Sequence, residues 1–118
     1  MFGGFYSVAV TQKDAFFHDR NIFVFSFESH GRCMTPQRFV VKDRWHGGAC
    51  VAFYDNDYHG RFVVFMGGDG WFIVGNEKSR TLCDDVSHGF EGIEDTTLTG
   101  HSHPETFTCC RLVAVQLE

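Results

Sequence analysis

Apolar residues in this chain recur mostly at every second position, the period of a strand with one face on a core. The segment "IFVFSFE" is the clearest case. Phe23, Phe25 and Phe27 share one face, and Ile22, Val24, Ser26 and Glu28 share the other. The three-phenylalanine face is expected to be core, and the other, apolar at first and polar at its end, to run out to solvent. Further strands are predicted at "GFYSVAV" (4–10), "RFVVK" (38–42), "ACVAFY" (49–54), "RFVVFM" (61–66) and "WFIVG" (71–75). The last two flank "GGDG", the strongest hairpin signal in the chain. "SHGRCMTPQ", "DRWHGG" and "DNDYHG" read as loops and turns.

Residues 76–105 break the two-residue period. Leu82, Val86, Phe90 and Ile93 are spaced as on a helix, but Gly89, Gly92 and the Asp84–Asp85 pair oppose a stable one. A long ordered loop with one helical turn is predicted, pinned by those four apolar residues. "TFTCCRLVAVQL" is predicted to close the chain as a long strand. Arg111 interrupts its odd-numbered apolar face (Phe107, Cys109, Val113, Val115), which implies a bulge or an edge position.

Seven or eight short strands with Gly-rich turns imply a mainly β protein, a two-sheet antiparallel β-sandwich with at most short helical turns. Composition agrees: 14 Phe favour pleated surfaces and 13 Gly supply turns. The 118 residues fit one domain. No internal repeat or linker is visible.

Charge narrows the function classes. Ten Lys and Arg face 15 Asp and Glu, giving a net charge of −5 with no basic run. An electrostatic grip on phosphates needs a basic stripe, so no nucleic-acid partner is expected. No apolar run reaches the length of a membrane span. The opening residues "MFGGFYSVAV" lack a basic n-region and a proper apolar h-region, so no signal peptide is expected. Five Cys at irregular spacing make a poor disulfide framework, and a reducing, cytoplasmic setting is the simpler reading.

Five segments in order resemble the TLDc domain: "FGGFYS", "FFHDRNIFVFSFES", "RFVV", "GGDGWFIVGN" and "LTG…F…LVAVQLE". "FVFSF" at 23–27 stands for the family's "FLFSL" element, and 107–118 for its last strand. The wording is closest to the diverged TLDc proteins of protozoa. One departure is the family's closing "EVW", where this chain has Val115-Gln116-Leu117. The family domain also has an N-terminal portion before the FGG strand. The resemblance therefore implies that residues 1–118 are one TLDc-like domain, its C-terminal two-thirds, as a natural short protein or a truncated one. It implies a two-sheet sandwich with short helices, a non-enzymatic role in oxidative-stress protection, and a protein partner such as a vacuolar proton pump subunit. It supplies no catalytic residue and no cofactor. A domain lacking its first part implies an exposed sheet edge and a homodimer through it, or a structural fragment without activity of its own.

The alternative reading is a small metal- or thiol-dependent enzyme or redox sensor. In "GHSHPE", His101 and His103 project to one side of an extended segment and are the candidate metal ligands. No closed four-ligand spacing completes them, and no structural metal is expected. "HSHP" also resembles the metal motif of JAMM-type isopeptidases, but the downstream Ser and Asp of that motif are missing. Cys33 in "SHGRC" lies near His30 and Arg32, cations that lower a thiol pKa, and is the candidate redox-sensitive residue. Asp84, Asp85, Glu91, Glu94 and Asp95 form an acidic group, read as a solvated face or as a surface for a basic partner.

Overall fold

The computed structural model describes residues 1–27, 34–54, 62–67, 71–75, 81–100, 106–107, 113 and 115–117, with backbone alone for 62–66, 71–75, 81–84 and 106–107. It is mainly β. Nine strands form two antiparallel sheets among the described residues, with one short α-helix and one 3₁₀ turn.

The smaller sheet has the order β1-β3-β4, from β1 (Phe2–Phe5), β3 (Phe23–Ser26) and β4 (Gln37–Val40). β1 runs antiparallel to β3 with Gly3 opposite Phe25 and Phe5 opposite Phe23. β4 continues the sheet with Phe39 opposite Val24 and Arg38 opposite Phe25. β1 is thus an edge strand among the described residues. The larger sheet has the order β2-β5-β6-β7-β8-β9, from β2 (Phe17–His18), β5 (Cys50–Phe53), β6 (Phe62–Gly67), β7 (Trp71–Gly75), β8 (Thr81–Asp84) and β9 (Thr106–Phe107). The predicted hairpin is present as β6 and β7, closing with Gly67 opposite Trp71.

The core corrects the expectation for the phenylalanine face. Ile22 and Val24 are 0% exposed and Ser26 1%, whereas Phe27 is 44% exposed and Phe23 and Phe25 are half-buried. The inward side of β3 is therefore Ile22-Val24-Ser26. It packs with Phe39 and Val41 from β4 and the residue after it, Ala49 and Val51 around β5, and Val86, Phe90, Ile93 and Leu98. Each such aliphatic or aromatic side chain contributes about 1.5–3 kcal/mol when fully buried. Ser26 Oγ is buried with no hydrogen-bond partner among the described residues.

The first strand is also shorter than the predicted 4–10. It ends at Phe5 because the next amides are claimed elsewhere. Ser7 and Val8 donate their backbone N–H to the Asp19 carboxylate, and the Ser7 hydroxyl donates to it at 3.0 Å. Asn21 N–H donates from the other side at 2.9 Å. Asp19, 2% exposed, thereby ties the chain leaving β1 to the turn that enters β3.

The predicted loop over 76–105 opens differently from expectation. Residues 81–84 form β8, so Leu82 lies in the ladder opposite Ile73. The single helical turn is present as α1 (Val86–Gly89), entered through Asp85 at φ 45°. Val86, Phe90 and Ile93 are buried and pin the segment as predicted. The same segment is stapled to the smaller sheet. Val41 bridges Phe90, Glu91 N–H donates to Val40 O at 2.8 Å, and Lys42 Nζ donates to Ser87 O at 2.6 Å. The long closing strand is not seen among the described residues. β9 is Thr106–Phe107, and Val113, Val115 and Leu117 lie outside any strand, 62–73% exposed; residues 108–112 and 114 of the predicted strand lie outside the described residues.

Candidate functional site

The outward face of the smaller sheet follows from the alternation of its strands. With Ile22, Val24 and Ser26 inward, Phe23, Phe25 and Phe27 must point away from the core. Phe5 joins them from β1, and Arg38 and Val40 from β4, by the antiparallel register. The rings form a continuous row. Phe5 stacks on Phe23 at 4.7 Å and 16°, Phe23 meets Phe25 at 6.5 Å, and Phe25 meets Phe27 at 5.4 Å. Such pairs add about 0.5–1.5 kcal/mol beyond their burial.

Gly3 makes this arrangement fit. The Phe25 ring leans across the strand onto it, and a Cβ at Gly3 would lie 2.9 Å from Phe25 Cζ. The Arg38 guanidinium sits 5.8 Å from the Phe23 ring centre, a cation over an aromatic face. It has no carboxylate partner among the described residues. Val40 is 46% exposed beside it. The described stretches that build this sheet, residues 1–6, 20–27 and 34–42, contain Arg20, Arg38 and Lys42 but no Asp or Glu. Glu28, next in the chain, lies outside the described residues. Glu91, exposed and bonded through its N–H to Val40 O, borders the same sheet, and the charge lying over the rings is that of Arg38.

Half of the residues singled out by sequence have described side chains. Cys33, His101 and His103 lie outside the described residues. Of the acidic group, Asp85, Glu91 and Glu94 are exposed, and Asp84 is described only as backbone in β8. Asp95 is half-buried and accepts Ser87 N–H at 2.9 Å, which gives it a role in holding α1. Among the described residues no three His, Cys, Asp or Glu side chains are grouped to hold a metal ion. An open depression of about 340 Å³ lies between Tyr6, Val10, Thr11, Gln12, Lys13 and Phe53, and no carboxylate, histidine or cysteine lines it.

Cys50 is the thiol whose surroundings are described. Burial pushes its pKa up, and its Sγ–H donates to Gly67 O at 3.6 Å. Both effects hold the neutral thiol, the unreactive form. Alkylation by iodoacetamide near neutral pH, followed by peptide mapping, is expected to label Cys50 at least about ten-fold more slowly than a free thiol. Labelling at the free-thiol rate would contradict this burial.

Sequence reasoning missed the aromatic face because it assigned those rings to the core. The available signal was Gly3 in β1, which stands opposite Phe25 and leaves room for its ring. No helix among the described residues is long and apolar enough to cross a membrane. Comparison of the chain with protein-family models, curated proteins and solved structures finds no match.

Proposed function

We propose that this chain is a non-enzymatic interaction module of TLDc type, a partial two-sheet β-sandwich that docks a protein partner through the outer face of its smaller sheet. The observation that carries the docking surface is the outward placement of Phe23, Phe25 and Phe27, with Phe5 and Val40 beside them. A contiguous row of aromatic rings at the surface marks an interaction site more often than a scatter of single apolar residues does. Aromatic and arginine side chains are also the groups that dominate binding energy at interfaces. The remainder of the reading rests on the five ordered segments that resemble the family. It places the partner in a membrane-associated assembly such as the peripheral part of the vacuolar proton pump, or in oxidative-stress protection, with the chain acting in the cytoplasm.

The test compares affinity capture from cell extract by the native chain and by a Phe23→Ser/Phe25→Ser variant. The native chain is expected to retain a defined partner that the variant loses. Circular dichroism melts should show a lowered midpoint, through the ring pairs lost, with the variant still folded at the capture temperature. Equal capture by both proteins would remove this face as the docking surface.

A further inference from the structure

We propose that the partner element seated on this face is an amphipathic α-helix with an acidic flank. This rests on reading the outer aromatic face as the docking surface. The first reason is that the surface on offer is the face of a sheet, not its edge. An extended peptide laid over phenylalanine rings would bury backbone N–H and C=O groups with nothing to bond them. A helix satisfies its own backbone and presents only side chains.

The second reason is spacing. Successive rings along β3 are 6.5 and 5.4 Å apart. One helical turn advances about 5.4 Å, so side chains at i, i+4 and i+7 fall over successive rings. Phe5 and Val40 widen the strip on the two neighbouring strands. The strip matches the apolar stripe of a helix rather than a single inserted side chain.

The third reason is charge. Arg38 stands at the margin of the strip without a carboxylate partner among the described residues, and Arg20 is exposed in the turn leading into β3. Glu91 borders the sheet at Val40, whereas Arg38 is the charge that lies over a ring of the row. A carboxylate on the flank of the docked helix would meet Arg38 while its apolar stripe covers the rings. A second copy docked face to face would bring another Arg38 against this one. A single-stranded nucleic acid could stack on the rings, but Arg38 by itself offers little grip on its phosphates.

The experiment uses three fluorescein-labelled synthetic peptides of about 14 residues, or about four helical turns. One has Leu at i, i+3, i+4 and i+7 with Glu along one flank. The second replaces Glu with Lys, and the third carries two internal prolines that prevent the helix. Fluorescence anisotropy is read against the native chain, Arg38→Glu and Phe25→Ser, with each variant's fold checked by its melt. The Glu peptide is expected to bind about five-fold more tightly than the Lys peptide, the scale of one exposed charge pair. Arg38→Glu should reverse that order, Phe25→Ser should weaken both, and the proline peptide should not bind.

Equal binding of the Glu and Lys peptides, lost in Phe25→Ser, overturns the acidic helix and leaves the docking face standing. Failure of the Glu peptide to bind at about 1 mM overturns the helix assignment, while capture lost in the double variant would still uphold the face. Tighter binding of the proline peptide overturns it in favour of an extended segment. Tighter binding of labelled oligodeoxythymidine overturns it in favour of a nucleic acid. A native dimer in light scattering that Phe25→Ser dissociates overturns it in favour of a second copy.

Discussion

Asp19→Ala is expected to lower the unfolding free energy by about 2 kcal/mol, because it removes a charge-assisted network and leaves three part-buried backbone donors without their acceptor. Ser7 N, Val8 N and Asn21 N lose their acceptor together, and the crossing from β1 to the entry of β3 loses its tie. Urea unfolding of the variant against the native chain measures this. An unchanged midpoint would mean that the network contributes nothing net.

The same residue sets an acid limb of stability. Burial by itself raises the Asp19 carboxyl, but the hydrogen bonds from Ser7 N, Asn21 N, the Ser7 hydroxyl and Val8 N outweigh it and hold it below the ordinary aspartate value. The unfolded chain therefore takes up this proton at a higher pH than the folded one. Asp19's contribution is fully present above the ordinary aspartate range and is lost as pH falls through that range towards the lowered folded value. Between pH 7 and about pH 2.5 the native urea midpoint should fall more steeply than that of Asp19→Asn, which cannot titrate there. Parallel slopes would refute the depressed carboxyl.

Phe90→Ala is expected to cost about 3–5 kcal/mol, the range for emptying a filled aromatic site in a core. Phe90 is 1% exposed, packs in the central cluster and bridges Val41. Its loss opens a cavity where both the smaller sheet and the 86–98 segment meet. Since small domains hold only about 5–15 kcal/mol in total, this is a large share of it. Phe27→Ala, the same exchange on the outward row, should cost less than about 1 kcal/mol. Denaturant melts of the two variants side by side test which face of β3 is inward. Equal losses would place Phe27 in a core and remove the aromatic face as a surface.

Much of the architecture was legible before any coordinates. The β6–β7 hairpin is announced by two apolar runs separated by Gly and Asp, a local signal that needs no distant partner. The period-two pattern at 22–28 correctly marks a strand, and Val86, Phe90 and Ile93 correctly mark the anchors of the segment after β8. The beginning of that segment was misread because Leu82 fits the helical spacing and the strand spacing equally well. Its choice is made by β7, which supplies a ladder at Ile73.

The extent of the first strand was not legible either. "GFYSVAV" is a good strand by local preference throughout. It stops at Phe5 because Asp19, eleven and twelve residues away from Val8 and Ser7, captures the amides that would otherwise extend the ladder. A carboxylate that competes for backbone donors leaves no mark in strand propensity. The candidate cysteine and histidines illustrate a different limit. Cys33, His101 and His103 were chosen for their side-chain chemistry, and whether such groups converge depends on contacts between distant segments.

Local pattern alone commits this protein to its class. Alternating apolar residues, Gly-rich turns and scarce helix formers commit the chain to short antiparallel strands, because each of these is a property of neighbouring residues. Only the tertiary structure decided which face of β3 turns inward. Both faces are apolar enough to be buried, and a period of two cannot rank them. The choice falls to what stands opposite: Phe39, Val51 and Phe90 fill the space against Ile22 and Val24, while Gly3 gives the Phe25 ring a seat on the other side. That long-range decision is what leaves a row of phenylalanines, with Arg38 over Phe23, on the outward face.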